Sequence, residues 1–123
     1  MVQRKKEAPD WEVTGKLAKV AARNFIITNA ARGVLSVQEA FNQSSLDIKN
    51  IDEFLFQLDS VSLQAARQLG QYYSSSRMMG LDLGIDEQGK VWIIEVNLTP
   101  DIAMFKLLKD SAVYKKIREY IKG

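Results

Sequence analysis

The 123-residue chain contains neither cysteine nor histidine. Without thiols it has no disulfide framework, no thiolate nucleophile and no cysteine-ligated zinc site. Without imidazole, the usual acid–base group of neutral pH is missing. No apolar run approaches the roughly 20 residues that a membrane helix requires, and no signal peptide is visible. The expectation is a soluble, cytoplasmic protein with no membrane partner. Neither charge dominates, with 17 basic against 15 acidic residues and a net charge of +2. Such a balance indicates no polyanionic partner, although the C-terminal KKIREYIK segment is locally basic. What the chain does have is 46% apolar residues, enough for the core of one domain or of part of one.

The most informative stretch is Gly80 to Asp101, GLDLGIDEQGKVWIIEVNLTPD. It reads as a hairpin, with Asp86-Glu87-Gln88-Gly89 supplying the turn between two apolar runs. Leu81, Leu83 and Ile85 alternate with Gly80, Asp82, Gly84 and Asp86. On the returning strand Trp92, Ile94 and Val96 form the apolar set, and Ile93, Glu95 and Asn97 share the other face. A loop of two residues (Gln88-Gly89) or of four (Glu87 to Lys90) sets Asp82 directly opposite Glu95. One face is then core. The other carries Asp82, Glu95 and Asn97, with glycines at 80 and 84 leaving room for something bulky. Two carboxylates and an amide so placed are costly unless a cation or solvent satisfies them. Hard oxygen donors of this kind suit magnesium or manganese, especially when phosphate oxygens complete the octahedron. An ordinary half-buried hairpin with a wet acidic face is the plainer reading of any such pattern.

The residues Gly80, Asp82, Asp86, Trp92, Glu95, Val96, Asn97 and Pro100 follow a more specific order, G-x-D-x-x-x-D, then W-x-x-E-V-N, then proline. This resembles the metal-binding end of the ATP-grasp superfamily, and within it the YheC/YheD-like endospore coat-associated group. The resemblance implies that Asp82, Glu95 and Asn97 hold one or two Mg2+ (or Mn2+) ions that bridge ATP phosphates. It also implies the family's reaction, in which ATP phosphorylates a carboxylate and an amine displaces the phosphate.

The likeness extends upstream. A strand over Trp11 to Ala22 begins with W-x-V-T-G, a turn at Arg23-Asn24 follows, and Phe25 to Thr28 returns as a second strand. The next loop, Asn29-Ala30-Ala31-Arg32-Gly33, resembles the family's N-x-x-x-G-G, which lies near the phosphates and the acceptor. The resemblance thus makes Asn29 a cofactor-binding residue and Arg32 a catalytic one, since a guanidinium suits phosphate or carboxylate. Val34 departs from the pattern, standing where a second glycine is expected. Lys19 occupies a position where many ATP-grasp members carry a basic residue on the preceding strand. It is read as a phosphate contact, with a solvated lysine as the alternative.

The helices announce themselves by caps and periodicity. Ser36-Val37-Gln38-Glu39 is a capping box that opens a short helix. From Ile51 the set Phe54, Leu55, Leu58, Val61, Ala65, Leu69 and Tyr72 follows helical spacing, an amphipathic helix that lies on the sheet. Thr99 and Pro100 are expected to start another helix. Asp110 or Ser111 caps a last one, with Val113, Ile117 and Tyr120 facing inward and its lysines and Arg118 on a solvated outer face.

The expected fold is therefore α+β, a mostly antiparallel sheet with helices on one side, covering residues 1–123 as the C-terminal lobe of an ATP-grasp fold. By the resemblance, the upstream lobe that reads adenine lies outside this chain, so a fragment of a longer protein is expected. The functional expectation is the magnesium- and ATP-phosphate-binding lobe of a carboxylate–amine ligase-like protein associated with the endospore coat. The alternative is a non-catalytic structural or interaction protein of the spore that keeps the fold. As partners the reading names ATP, an unidentified carboxylate and amine, the missing N-terminal lobe and a second copy in a homodimer. Nucleic acid is not indicated. The isolated chain is expected to be inactive.

Overall fold

The computed structural model describes residues 1–8, 10–18, 35–43, 50–86 and 88–123. Two short strands, β1 (Val2–Gln3) and β2 (Glu12–Val13), precede helices α1 (Val37–Gln43) and α2 (Ile51–Tyr72). The long strands β3 (Met78–Ile85) and β4 (Val91–Asn97) follow, then a 3-10 helix over Ala103–Leu107 and helix α3 (Ser111–Lys122). The four strands form one antiparallel sheet in the order β2-β1-β3-β4, which is the α+β architecture expected.

Adjacent residues of a strand point to opposite faces, and β1 shows what each face meets. Val2 is fully buried with Trp11, Ala66 and Met79, on the face covered by α2. Gln3 turns the other way. Its amide donates to the Ile117 carbonyl of α3 at 3.2 Å, and its carbonyl oxygen accepts from the Thr14 hydroxyl. The long helix thus covers one face, while α3 docks behind β1 and β2 on the other.

Helix α2 begins at Asn50, whose side chain accepts from the Glu53 amide at 3.2 Å. Asp52 and Glu53 in its first turn complement the helix dipole. Its buried line is Phe54, Leu58, Ser62, Ala66 and Gly70, so small residues hold three of the five positions in a stripe expected from large ones. Tyr72, expected inside, is 84% exposed. The small residues follow from what presses on them. The Trp11 ring lies on the helix where a Cβ at Gly70 would sit 2.9 Å from its indole nitrogen. The Ser62 hydroxyl is satisfied by donating to the Leu58 carbonyl at 2.8 Å. The capping box of α1 is present, with the Glu39 amide donating to Ser36 Oγ at 3.1 Å, and Phe41 meets Phe54 at a ring separation of 6.0 Å.

Two expected elements differ. The strand anticipated from Trp11 is reduced, among the described residues, to β2 and a single bridge between Ala18 and Leu35. Alternation fails at Gly15, which faces Ile117, Val113 and Phe105 rather than α2. The residues from Phe25 to Gly33 lie outside the described ones. The helix anticipated at Thr99 is instead the 3-10 helix, which has Ile102 at its N-cap position without a side-chain cap; just before it, the Asp101 carboxylate accepts from the Ala103 amide at 2.9 Å. Thr99 instead lies in a turn in which its amide donates to the Asn97 side-chain oxygen at 2.9 Å. Helix α3 is as expected, capped by Asp110 with Ile117 and Tyr120 buried. Tyr120 donates its hydroxyl to Glu12, which pushes the phenol up to about 12.

Candidate metal site

The site is built on the β3–β4 hairpin. Asp86 and Lys90 close its turn, with the Asp86 amide donating to the Lys90 carbonyl at 3.1 Å and the Gly89 amide to the Asp86 carbonyl at 2.9 Å. Gly89 has φ of 80°, a left-handed conformation that a glycine adopts without a Cβ penalty. Three residues therefore separate the closing pair, not two or four. Asp86 also holds the turn through its side chain, which accepts from the amides of Gln88 and Lys90, each at 2.9 Å, and from the Trp92 indole at 3.0 Å. The Trp92 hydrogen bond, ahead of the backbone ones, keeps the Asp86 carboxyl below its ordinary range. The Lys90 ammonium lies 4.1 Å from the centre of the Trp92 ring.

From that turn the ladder pairs Ile85 with Val91, Gly84 with Trp92 and Leu83 with Ile93. Continued without a break, it would set Asp82 opposite Ile94. A one-residue bulge intervenes. Ile94 is left out of the ladder, and Asp82 pairs with Glu95, Leu81 with Val96 and Gly80 with Asn97. The expected pairing is present, reached by an odd turn and a bulge whose offsets cancel.

The bulge has a second consequence. Trp92 and Glu95 are three residues apart and would face opposite ways on a regular strand, yet both lie on the Asp82 face. Trp92 was expected in the apolar layer. Instead it is 51% exposed on the face of the acidic pair, and Ile93, itself 44% exposed, pairs with Leu83 on the other face. The glycines leave room, and the chain itself fills it. A Cβ on Gly84 would lie 3.1 Å from Ile94 Cδ1, and one on Gly80 would lie 2.8 Å from Pro100 Cβ. The acidic pair thus sits between Ile94 and Pro100.

Asp82, Glu95 and Asn97 are all exposed on this face. No ion pair neutralises either carboxylate among the described residues. The Asn97 side-chain oxygen accepts from the Thr99 amide at 2.9 Å and lies 3.4 Å from the Thr99 hydroxyl. Two carboxylates and a carboxamide oxygen fit a hard divalent cation that keeps several of its waters or takes phosphate oxygens. Among the described residues no group of three or more Asp, Glu, His or Cys gathers as a metal site, so an all-protein cage is not what the hairpin offers.

Lys19, Asn29 and Arg32 lie outside the described residues, as does Val34. The described lysine that comes just before them in sequence, Lys16, is paired with Asp59 of α2 at 2.7 Å. Thr99 was read as a helix start and Ile94 as part of the apolar set, neither as part of the site. The one available signal for Ile94 was the W-x-x-E spacing, which places both residues on one face only if the strand is bulged.

The family model for YheC/D-like ATP-grasp proteins matches residues 1–122. The chain belongs to the YheC/D-like ATP-grasp family. It is 29% identical over 98 residues to the endospore coat-associated protein YheD of Bacillus subtilis (strain 168), an alignment that covers 77% of this chain and 21% of that protein. The chain thus spans about a fifth of the length of the curated relative it matches. No solved structure matches it. Among the described residues, no helix of this ATP-grasp chain is long and apolar enough to cross a membrane.

Proposed function

We propose that this chain is the lobe that holds magnesium and ATP phosphates in an ATP-dependent, carboxylate–amine ligase-like protein associated with the endospore coat. The observation that supports this most is the direct opposition of Asp82 and Glu95 on the exposed face that also carries Asn97. Family membership and the coat-associated relative supply the rest. Asp82 and Glu95 would provide the charge that draws the cation, and Asn97 a neutral oxygen that orients it. The bound cation would neutralise phosphate charge as it develops, a contribution worth several kcal/mol. In the same reading Lys19 and Asn29 contact phosphates, Arg32 faces the reacting carboxylate or phosphate, and a preceding lobe supplies the adenine pocket.

The test is Asp82→Asn and Glu95→Gln in a chain carrying both walls of the nucleotide site. Magnesium-supported ATP consumption should be abolished in each, with an unchanged circular dichroism spectrum and melting curve. Undiminished consumption in both variants would mean that the acidic face is not the catalytic metal site.

A further inference from the structure

The acidic pair is open to solvent, whereas Asn97 is held from two sides. Its side-chain oxygen has two acceptor sites, one of them taken by the Thr99 amide at 2.9 Å, with the Thr99 hydroxyl 3.4 Å away. The residue directly opposite Asn97 on β3 is Gly80, and on that glycine the next residue of the turn, Pro100, is seated. A Cβ at Gly80 would lie 2.8 Å from Pro100 Cβ and 3.6 Å from Pro100 Cγ. The first is closer than real Cβ contacts come, and the atom it meets belongs to a proline ring tied to the backbone. The chain leaving β4 therefore folds back across its own strand partner, which is possible only because that partner has no side chain. Proline restricts Thr99 to extended backbone as well, so the turn from Asn97 to Pro100 has little freedom.

We infer that Gly80, Thr99 and Pro100 form a clamp that positions the Asn97 carboxamide oxygen for a cation held by Asp82 and Glu95. The inference rests on the metal-binding reading above and assigns these three residues positioning roles, none touching the ligand. Groups that orient a metal ligand through its second hydrogen bond typically change metal affinity by 10- to 100-fold when lost. Thr99 supplies that second bond here, and Pro100 on Gly80 fixes the backbone that carries it.

The probe is Mn2+ titrated alone into the chain, read by water-proton relaxation. The Asn97 side-chain amide is followed in parallel by NMR. Gly80→Ala should weaken Mn2+ affinity by about tenfold and move the Asn97 amide resonances, with the melting temperature of the core little changed. Thr99→Val, which removes only the hydroxyl, should weaken it by about two- to tenfold, and Thr99→Ser should restore it. Should Gly80→Ala fail to fold, the valine and serine pair decides alone. Asp82→Asn separates the two levels of the argument. If it leaves Mn2+ affinity unchanged, the metal reading falls and the clamp with it. If Asp82→Asn abolishes binding while Gly80→Ala and Thr99→Val bind as the parent does, the site stands and the clamp is wrong.

Discussion

Asp82 faces Glu95 across the hairpin because Ile94 is left out of the ladder between them. The turn from Asp86 to Lys90 holds the strands one residue out of the register that this pairing needs, and the bulge at Ile94 restores it. The same offset carries Trp92 onto the acidic face and lays Ile94 over Gly84. Bulges recur where a strand must re-aim a side chain. Here one bulge re-aims two.

Asp86 is the anchor of that turn, and its protonation should be visible at Trp92. The carboxyl sits below the ordinary aspartate value of 3.8, chiefly through the Trp92 hydrogen bond. A group with a depressed folded pKa stabilises the fold above its unfolded pKa, and this contribution is lost as pH falls through the folded one. In a Trp11→Phe background, which leaves Trp92 as the single tryptophan, emission should titrate with a midpoint below 3.8. In Asp86→Asn the transition should be absent. A midpoint at or above the ordinary aspartate value would mean that the indole bond does not form in solution.

The α-amino group of Met1 in the isolated chain makes a prediction of the same sign at higher pH. It donates to the Gly15 carbonyl at 2.8 Å, and burial first, then the nearby Lys16, pushes it down from 8.0 to about 6 against the pull of Asp59 and Asp82. Between those two values the unfolded chain binds more protons than the folded one, so stability rises with pH through that window. The span corresponds to about 3 kcal/mol. Urea midpoints should increase from pH 6 to pH 8, and acetylating the amine should flatten the dependence. A midpoint that falls over this window would contradict the buried amine.

Gly70 should resist substitution although it lies inside a helix. Alanine gains about 1 kcal/mol of helix propensity, but its methyl would meet the Trp11 ring at 2.9 to 3.2 Å. Trp11 is buried, with Arg4 stacked 4.5 Å from its ring centre, so it has little room to retreat. Overpacking of this kind costs about 1–3 kcal/mol. Gly70→Ala should therefore be neutral to destabilising by up to about 2 kcal/mol in urea denaturation, and should become stabilising in a Trp11→Phe background. Clear stabilisation with Trp11 present would show that the ring does not rest on Gly70.

These cases mark what can be read from residue types in order. The capping box at Ser36, the cap at Asp110 and the long helix were legible because they depend on local chemistry. The pairing of Asp82 with Glu95 was expected from a turn of even length, which gives odd spacings such as their 13 residues; the turn has three residues, and the pairing is present because the bulge at Ile94 makes up the difference. Trp92 was misplaced because a regular alternation carries no mark of a residue dropped from the ladder. The stripe of Ser62, Ala66 and Gly70 was missed because small residues are buried by what lands on them, and Trp11 comes from 59 residues earlier. At Thr99 the residue types suggested a helix start, whereas the chain makes a turn in which the Asn97 side chain accepts from the Thr99 amide two residues on.

The isolated chain should bind ATP weakly and turn over nothing. A nucleotide site buries most of its ligand only when both walls are present, and the described residues offer an exposed acidic face rather than a base pocket. Calorimetry with ATP and magnesium should show no micromolar binding. Tight binding would mean that the nucleotide sits elsewhere, or that the domain is complete without a preceding lobe.

The central claim, that Asp82, Glu95 and Asn97 together receive a divalent cation, is tested most directly by paramagnetic broadening. Substoichiometric Mn2+ is added, with inorganic triphosphate, to the 15N-labelled chain. Even weak binding then reports its position. The amide signals of Asp82, Glu95 and Asn97 should broaden first, with those of Gly80 and Thr99 close behind, and Asp82→Asn should remove the effect. Broadening centred instead on the acidic first turn of α2, at Asp52 and Glu53, with the hairpin signals left sharp, would contradict the account.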